Sequence, residues 1–377
     1  MTNVWKRIDW AKLWPQLLAP VAAVVIAAAV SSIFLVVSHK DPWLAFTSMG
    51  HYGTTPDVEV QVLNNATYFY IAAIASAIGF KMGLFNIGTE GQSQIGVFFA
   101  GTLATASFLG WMPGALRIAM MIVVAMAVGA AWALIAALLK TQRGVSEVIS
   151  TLMLNAIAAS VVSWLLNHVW GKQNKGAQIR TTGTLPKDAW MPSIPLIPGA
   201  NSGVFGFIVI AAVLGVAYWF VLSRTRFGFD LRATGYNPSA ATASGVNAKR
   251  MIIVAMLISG AVAGLIVLPD LLGDTHAYTQ GFGGIGFTGI SVALMGRNHP
   301  IGMALAALLW GFLAQSQQIL DLNEIPNQIV QIMQSLALLA VVIAYEQANR
   351  IGQRAQQRRV GAATADQAPP ATAEVTA

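Results

Sequence analysis

The chain has 377 residues, of which 56% are hydrophobic and only 10% charged. Soluble domains run near a quarter charged, so this chain has too little charge to cover a water-facing surface and is expected to cross a membrane several times. The lack of cysteine excludes disulfides, zinc–thiolate sites and thiol nucleophiles, and the formal charge of +7 points to membrane orientation rather than nucleic acid.

Residues 1–16 carry Lys6, Arg7 and Lys12 and are expected to be cytoplasmic. Residues 17–37 form an apolar run of roughly 31 Å as a helix, enough for a full span. No small-x-small cleavage site follows it, so an uncleaved first helix is expected. Residues 39–64 are polar, with Pro42, Gly50, Gly53 and Pro56, and predict an external loop with a short surface helix near 43–49. A second span is expected over 65–82. The stretch 83–91 (GLFNIGTEG) then interrupts the hydrophobic pattern, which resumes over 94–108. Residues 115–139 and 148–166 give two more spans around a basic turn, Lys140-Thr141-Gln142-Arg143. Residues 167–202 contain four prolines and predict a long external segment, followed by a sixth span over 204–222.

The next stretch, 223–250 (SRTRFGFDLRATGYNPSAATASGVNAKR), holds Arg224, Arg226, Arg232, Lys249 and Arg250 against one acid, Asp230. It also encodes a short helix. Asn237 suits the N-cap, Pro238 the first helical position, and Gly245 the left-handed position that ends a helix. Either it is an ordinary basic loop, or it is a small docking element held at the cytoplasmic face by its flanking spans. Further spans are expected over 251–268, 301–319 and 329–345. Residues 270–281 predict a polar loop, and 283–295 a glycine-rich piece short for a crossing. The tail from 347 carries Arg350, Arg354, Arg358 and Arg359, and its last residues lack apolar periodicity and predict disorder.

The fold class is thus all-α and polytopic, with about ten transmembrane helices, or eight if 83–91 and 283–295 are re-entrant. Placing the N-terminus inside puts sixteen lysines and arginines in cytoplasmic segments and six (Lys40, Arg117, Lys172, Lys175, Arg180, Lys187) outside, accounting for all 22. That bias favours both termini in the cytoplasm. The domains are then a cytoplasmic N-terminus (1–16), a permeation domain (17–345) and a basic, then disordered tail (346–377).

Three stretches could carry chemistry. Residues 85–96 (FNIGTEGQSQIG) put Asn86, Glu90 and Gln92 between apolar spans. They form either a helix break lining a polar path or a cytoplasmic loop. Glu147, Thr151 and Asn155, spaced by four, share a helix face that Ser146 can cap. They are candidates for helix–helix hydrogen bonds as well as for the path. The string GFGGIG at 281–286 matches G-x-G-x-x-G but lacks the strand and the acid of a dinucleotide site, so close backbone packing is expected. Neither a phosphate-binding G-x-x-x-x-G-K-[ST] loop nor H-E-x-x-H occurs, and the GxxxG spacings at Gly79/Gly83 and Gly260/Gly264 are weak signals in a chain with 35 glycines.

Four of these pieces together, FNIGTEGQ (85–92), SEVISTLMLN (146–155), LRATGYNPSAATASGVN (231–247) and GFTGISVALMGRNHPIG (286–302), resemble the permease subunits of bacterial ABC importers of the branched-chain amino acid, ribose and nucleoside type. FNIGTEGQ and TLMLN look most like the simple-sugar and purine-nucleoside branch. The resemblance implies a non-catalytic transport subunit in the bacterial inner membrane that carries a purine nucleoside, with ribose or another simple sugar as the alternative. It implies a cytoplasmic ABC ATPase that uses ATP-Mg, a second permease (a different chain, or a second copy), and an extracytoplasmic substrate-binding lipoprotein. No cofactor or metal is expected on this chain, and no nucleic-acid partner. Arg232, Asn237, Pro238, Ala240, Ala241 and Gly245 would couple to the ATPase. Phe85, Asn86, Glu90, Gln92, Asn155 and Phe282 would line the path. An ion-coupled secondary transporter is the competing class. It usually embeds charged residues in its spans, and here only Glu90 and Glu147 come near membrane depth.

Overall fold

The computed structural model describes residues 25–173, 179–280, 283–326 and 328–365. Among these the protein is almost entirely helical. Two compact units emerge, one of residues 1–43 and 326–377, the other of residues 44–325. The first contains helix α1 (Val25–Val37) and helix α14 (Gln328–Ala365). Helix α14 carries its apolar residues in its first half, and its arginine-bearing second half is helical up to Ala365. The run of Gln, Ala and Arg from 347 onward consists of good helix formers, which explains why the helix outlasts the apolar pattern. Disorder is expected from Gly361, but residues 361–365 instead end α14; residues 1–24 and 366–377 lie outside the described residues.

The second unit holds α2 (Pro42–Gly53), α3 (Pro56–Phe80), α4 (Thr89–Ala104), α5 (Gly114–Arg143), α6 (Glu147–His168), α7 (Phe207–Arg224), α8 (Arg226–Tyr236), α9 (Pro238–Ala243), α10 (Ala248–Ala263), α11 (Leu268–Asp270), α12 (Ile285–Met295) and α13 (Pro300–Leu322). Six helical segments are long and apolar enough to cross a bilayer: α3, α5, α6, α7, the run 248–275 and α13. The other expected crossings fall on α1, α4, α12 and the apolar part of α14. As described these are shorter than a full span, so the structure supports a multi-pass helical protein without fixing the count at ten.

Two boundaries differ from expectation. The segment 39–64 is mostly helix: α2 fills 42–53 and takes in the short helix expected near 43–49, but α3 already starts at Pro56 where loop was expected, with proline in its first turn and Asp57 and Glu59 at its positive end. The polar start of α3 hides it from a hydropathy reading. Its side chains are spent on the segment 167–206: Asp57 accepts from the backbone N–H and the side-chain amide of Asn201 (both 2.7 Å), and Asn64 accepts from the Phe205 N–H at 2.8 Å. Likewise Asp270 and its neighbours, expected in a loop, continue the span: α10 passes through turns into α11 and then a π-helical stretch, Leu271–Thr275.

Helices α3 and α10 form the buried centre, and α5, α6 and α7 are largely exposed. Small residues set the closest crossing. A Cβ on Gly264 would lie 2.0 Å from the Ala125 carbonyl oxygen, and one on Gly129 would lie 2.3 Å from that of Gly260, so α5 and α10 touch backbone to backbone. The Gly260/Gly264 spacing therefore marks a real contact. Gly79 instead lies against Leu84 of the adjoining turn. The segment 167–206 forms a two-residue antiparallel pair, β1 (Ser193–Ile194) with β2 (Val204–Phe205). It is bonded to the π stretch and to the loop after it: Met191 donates to the Leu272 carbonyl, and Thr182 and Tyr278 exchange two hydrogen bonds.

Candidate functional site

The interruption at 81–88 is a turn between α3 and α4 that returns the chain into the bundle. Gly83 adopts φ +72°, and Asn86, Thr89, Glu90, Gln92 and Ser93 are all buried. Each expected path residue among these is tied to another segment. Asn86 and Gln92 pair amide to amide (3.0 and 3.1 Å). Asn86 also donates to Ser259 of α10 at 2.8 Å and accepts from the Gly88 N–H at 3.0 Å. Ser259 passes the chain on to the Ala75 carbonyl of α3 at 2.6 Å. Asn155 of α6 accepts from the Gly91 N–H and donates to the Ile87 carbonyl, both at 2.9 Å. Buried amides satisfied in this way rigidify what they join.

Glu90 does something further. One carboxylate oxygen accepts from the Gly286 N–H at 2.8 Å, the other from Gln94 at 2.9 Å, and Thr89 donates to the Gly286 carbonyl at 3.2 Å. The first turns of α4 and α12 thus meet N-terminus to N-terminus, and one carboxylate sits where two positive helix ends converge. Glycines make the approach possible. A Cβ on Gly286 would lie 2.5 Å from the Glu90 nitrogen, one on Gly289 2.5 Å from Ala72, and one on Gly91 2.8 Å from the Asn155 side chain. Sequence reasoning missed Ser259 and Gly289; it expected close backbone packing over 281–286, and Gly286 makes such a contact with Glu90. For the two glycines a signal existed: a repeated string, IGTEG at 87–91 and IGFTG at 285–289, opens both short helices. Phe85 is exposed and rests on Phe80 with ring centroids 5.0 Å apart, while Phe282 lies outside the described residues. On α6, Thr151 bonds back to the Glu147 carbonyl and Glu147 pairs with Lys140; Ser146 occupies the cap position without a side-chain cap bond.

The second constellation is the loop 224–250. Three caps fix it. Thr225 accepts from the Gly228 N–H (3.1 Å) to start α8, Asn237 from the Ala240 N–H (3.0 Å) to start α9, and Asn247 from the Arg250 N–H (3.0 Å) to start α10. Pro238 takes the first position of α9. Gly245, at φ +89°, closes it with bonds from Gly245 to Thr242 and from Val246 to Ala241, the two-bond left-handed stop of a helix. Asn237, Pro238, Ala240 and Gly245 are exposed, whereas Ala241 is 4% exposed and is the inward anchor. Arg232 turns back to donate to the Leu222 carbonyl at the end of α7, so it supports the loop from behind. On the same side Gly235 abuts the turn after α3, where a Cβ would lie 2.8 Å from Met82 backbone atoms. Burial, and then the nearby Arg232 and Arg297, hold the Lys81 ammonium below its ordinary pKa.

A cavity of about 780 Å³ between α3, α7 and α13 is lined mostly by apolar side chains such as Leu63, Ile208 and Trp219, and does not coincide with either constellation.

These features define a multi-pass helical membrane protein with a clamped helix break in its interior and a capped, exposed short helix between two of its spans. The chain belongs to the family described as branched-chain amino acid transport system / permease component, whose model matches residues 59–342. Its relatives include the guanosine ABC transporter permease protein NupP of Bacillus subtilis, 31% identical over 88% of this chain and 94% of that one. The glucose ABC transporter permease protein TsgB13 of Haloferax volcanii is 31% identical over 90% and 91%. The nucleoside ABC transporter permease protein NupB of Lactococcus lactis is 27% identical over 88% and 92%.

Proposed function

We propose that the chain is the membrane-embedded subunit of an ATP-driven importer in the bacterial inner membrane and moves a nucleoside, of the purine class, into the cell. Near-full-length similarity to permeases named for guanosine and for nucleosides carries this reading. The capped helix α9 supports the mechanical part of it. A rigid, exposed, small-residue helix anchored by Ala241 suits a groove of a cytoplasmic ATPase, which would bind and hydrolyse ATP-Mg while this chain holds no cofactor. A second permease, different from this chain, would complete the path, and an external lipoprotein would deliver the substrate. Asn86, Glu90, Gln92 and Asn155 hold the break closed in this structure, and we take their release to open the path. The matching glucose permease favours a sugar as the second reading. Uptake of labelled guanosine and glucose by cells producing the whole importer separates the two. Guanosine uptake that survives an uncoupler while ATP stays high is expected. Glucose uptake without guanosine uptake, or uptake lost with the ion gradient, overturns the proposal.

A further inference from the structure

The cavity of about 780 Å³ between α3, α7 and α13 plays no part in the two constellations described above. On α7 its wall runs from Ile208 to Trp219, roughly 16 Å along the helix axis, which is about half the ~30 Å hydrocarbon core of a bilayer. Small residues, Ala211 and Gly215 on α7 and Ala304 on α13, make the wall concave. It is an open groove on the outside of the bundle: α7 is largely exposed, and so are the lining side chains Val216 and Ile301. The Thr67 hydroxyl on its floor is spent on the Leu63 carbonyl at 2.8 Å, and the Tyr70 hydroxyl lies against Gly215, where a Cβ would come within 2.0 Å of it. A nucleoside or a sugar would leave most of its hydroxyls unpaired here, whereas a hydrocarbon chain gives up no hydrogen bond by entering.

One end of the groove is basic. Trp219 and His299 line it there, and the Tyr218 hydroxyl donates to the Asn298 carbonyl at 2.8 Å, which ties the end of α7 to the turn before α13. Arg224, the last residue of α7, holds its guanidinium 5.6 Å from the centroid of the Trp219 ring. Arg297 belongs to the same turn as His299, and its charge is felt at Lys81 beyond the end of α3. Arg224 and His299 are exposed, Arg224 has no ion pair among the described residues, and no Asp or Glu lines the groove. A tryptophan beneath an arginine at the end of an apolar stripe suits the boundary between hydrocarbon and headgroups. The groove therefore joins an apolar trough one leaflet long to an excess of positive charge at a single end. Its complement is a molecule with one long apolar chain and an anionic head. A zwitterionic lipid matches the trough but not the charge, and a helix of another subunit would have to bring an acid to that end.

We propose that this groove holds one acyl chain of an anionic phospholipid, with the headgroup phosphate bound at the Arg224–His299 end. The site is independent of which solute the chain carries. To test it, the whole importer is reconstituted in phosphatidylcholine vesicles that contain a trace of phosphatidylglycerol with a photoreactive diazirine in one acyl chain. After irradiation the labelled peptides of this chain are identified by mass spectrometry, for the wild type, Arg224→Gln and Ala304→Trp. Label is expected on the groove faces of α7 and α13, and unlabelled phosphatidylglycerol should displace it at roughly tenfold lower content than added phosphatidylserine-free, zwitterionic phosphatidylethanolamine. Arg224→Gln should lower labelling about fivefold, the worth of one basic residue at an anionic surface, while labelling by a phosphatidylcholine probe of the same design changes less than twofold. Ala304→Trp fills the trough and should remove the label of both probes. Arg224 is exposed, so its variant still tests the site if Ala304→Trp is poorly inserted. Equal displacement by the two lipids, or an equal effect of Arg224→Gln on both probes, would mean an ordinary lipid-facing surface and would overturn the site. Label absent from the groove, or a photo-cross-link from Ile301 to another subunit in place of lipid, would overturn it too.

Discussion

Asn155 is the position where path-lining and lock-forming roles part most cleanly. Its side chain satisfies two buried backbone groups of the break, the Gly91 N–H and the Ile87 carbonyl, at 2.9 Å each. Asn155→Ala strands both. Hydrogen bonds between helices of membrane proteins average about 0.6 kcal/mol and reach roughly 1.7, so two of them make a loss of about 1–3 kcal/mol. Stranding a buried partner puts the value toward the upper end. Asn155→Asp keeps the acceptor for Gly91 but buries a carboxylate against the Ile87 carbonyl, so it should cost at least as much as Ala. The assay is thermal unfolding in mild detergent beside transport by the same variants. Midpoints several degrees lower are expected for Ala and at least as low for Asp, and transport should fall through a reduced maximal rate. Unchanged midpoints together with a raised KM for substrate would mean that the amide faces the ligand, and would refute its assignment to the lock.

Three other outcomes follow from particular contacts. Ala240→Glu, on the exposed face of α9, should leave membrane abundance normal and abolish ATP-driven uptake, whereas Ala241→Glu buries a charge and should lower abundance itself; normal uptake by Ala240→Glu counts against α9 as the ATPase contact. Gly264→Ala forces a Cβ to within 2.0 Å of the Ala125 oxygen and should markedly lower the unfolding midpoint, while Gly50→Ala, with nothing within 4 Å, should be neutral or mildly stabilising; equal midpoints would contradict the close α5–α10 crossing. His276 stacks on Trp190 at 3.7 Å, and burial holds its pKa below the ordinary 6.5, against an opposing pull from Asp274. The unfolded loop therefore takes up a proton first on acidification. The stabilising effect of neutral His276 is intact above about pH 6.5 and fades as pH falls toward the lowered folded value. Hydrogen exchange at the Leu185 amide, bonded to the His276 carbonyl at 2.7 Å, should quicken from pH 7.5 to 5.5 beyond its intrinsic rate, and His276→Phe should remove the dependence.

What was legible in the sequence was local. The cap, proline and terminal glycine of α9 were readable because Asn237, Pro238 and Gly245 act within one short helix. The apolar runs of α5, α6 and α7 were readable because those helices are largely exposed and keep their hydropathy along their whole length. Two kinds of feature were not. Helix α3 begins with Asp57 and Glu59 and carries Asn64 and Asn65, which bond to other segments, so polarity that serves packing looked like a loop. The bonds that hold the break join residues far apart in the chain: 173 positions from Asn86 to Ser259 and 196 from Glu90 to Gly286. The sequence marked Asn86 and Glu90 as polar and 281–286 as closely packed, and only the fold paired Asn86 with Ser259 and Glu90 with Gly286.

If α9 takes the push proposed above, how it reaches the break follows from what kind of contact lies between them. Helix α8 precedes α9 directly, and its Gly235 touches the backbone of Lys81 and Met82 with no side chain between. Side chains yield by changing rotamer; two backbones in contact do not, so a displacement of α8 is handed on nearly undiminished. The receiving turn leads within a few residues to Asn86, whose amide is bonded to both Gln92 and Ser259, and then to Glu90, which holds the first turn of α12. Motion at one end of this chain therefore strains charge-assisted and amide hydrogen bonds at the other, and those bonds break over fractions of an ångström. A bulkier residue at Gly235 should shift that transmission without touching either end. Spin labels at the exposed Tyr236 and Phe85 would show whether the two move together when the ATPase closes. Independent movement of the labels would leave the buried clamp without a drive from α9.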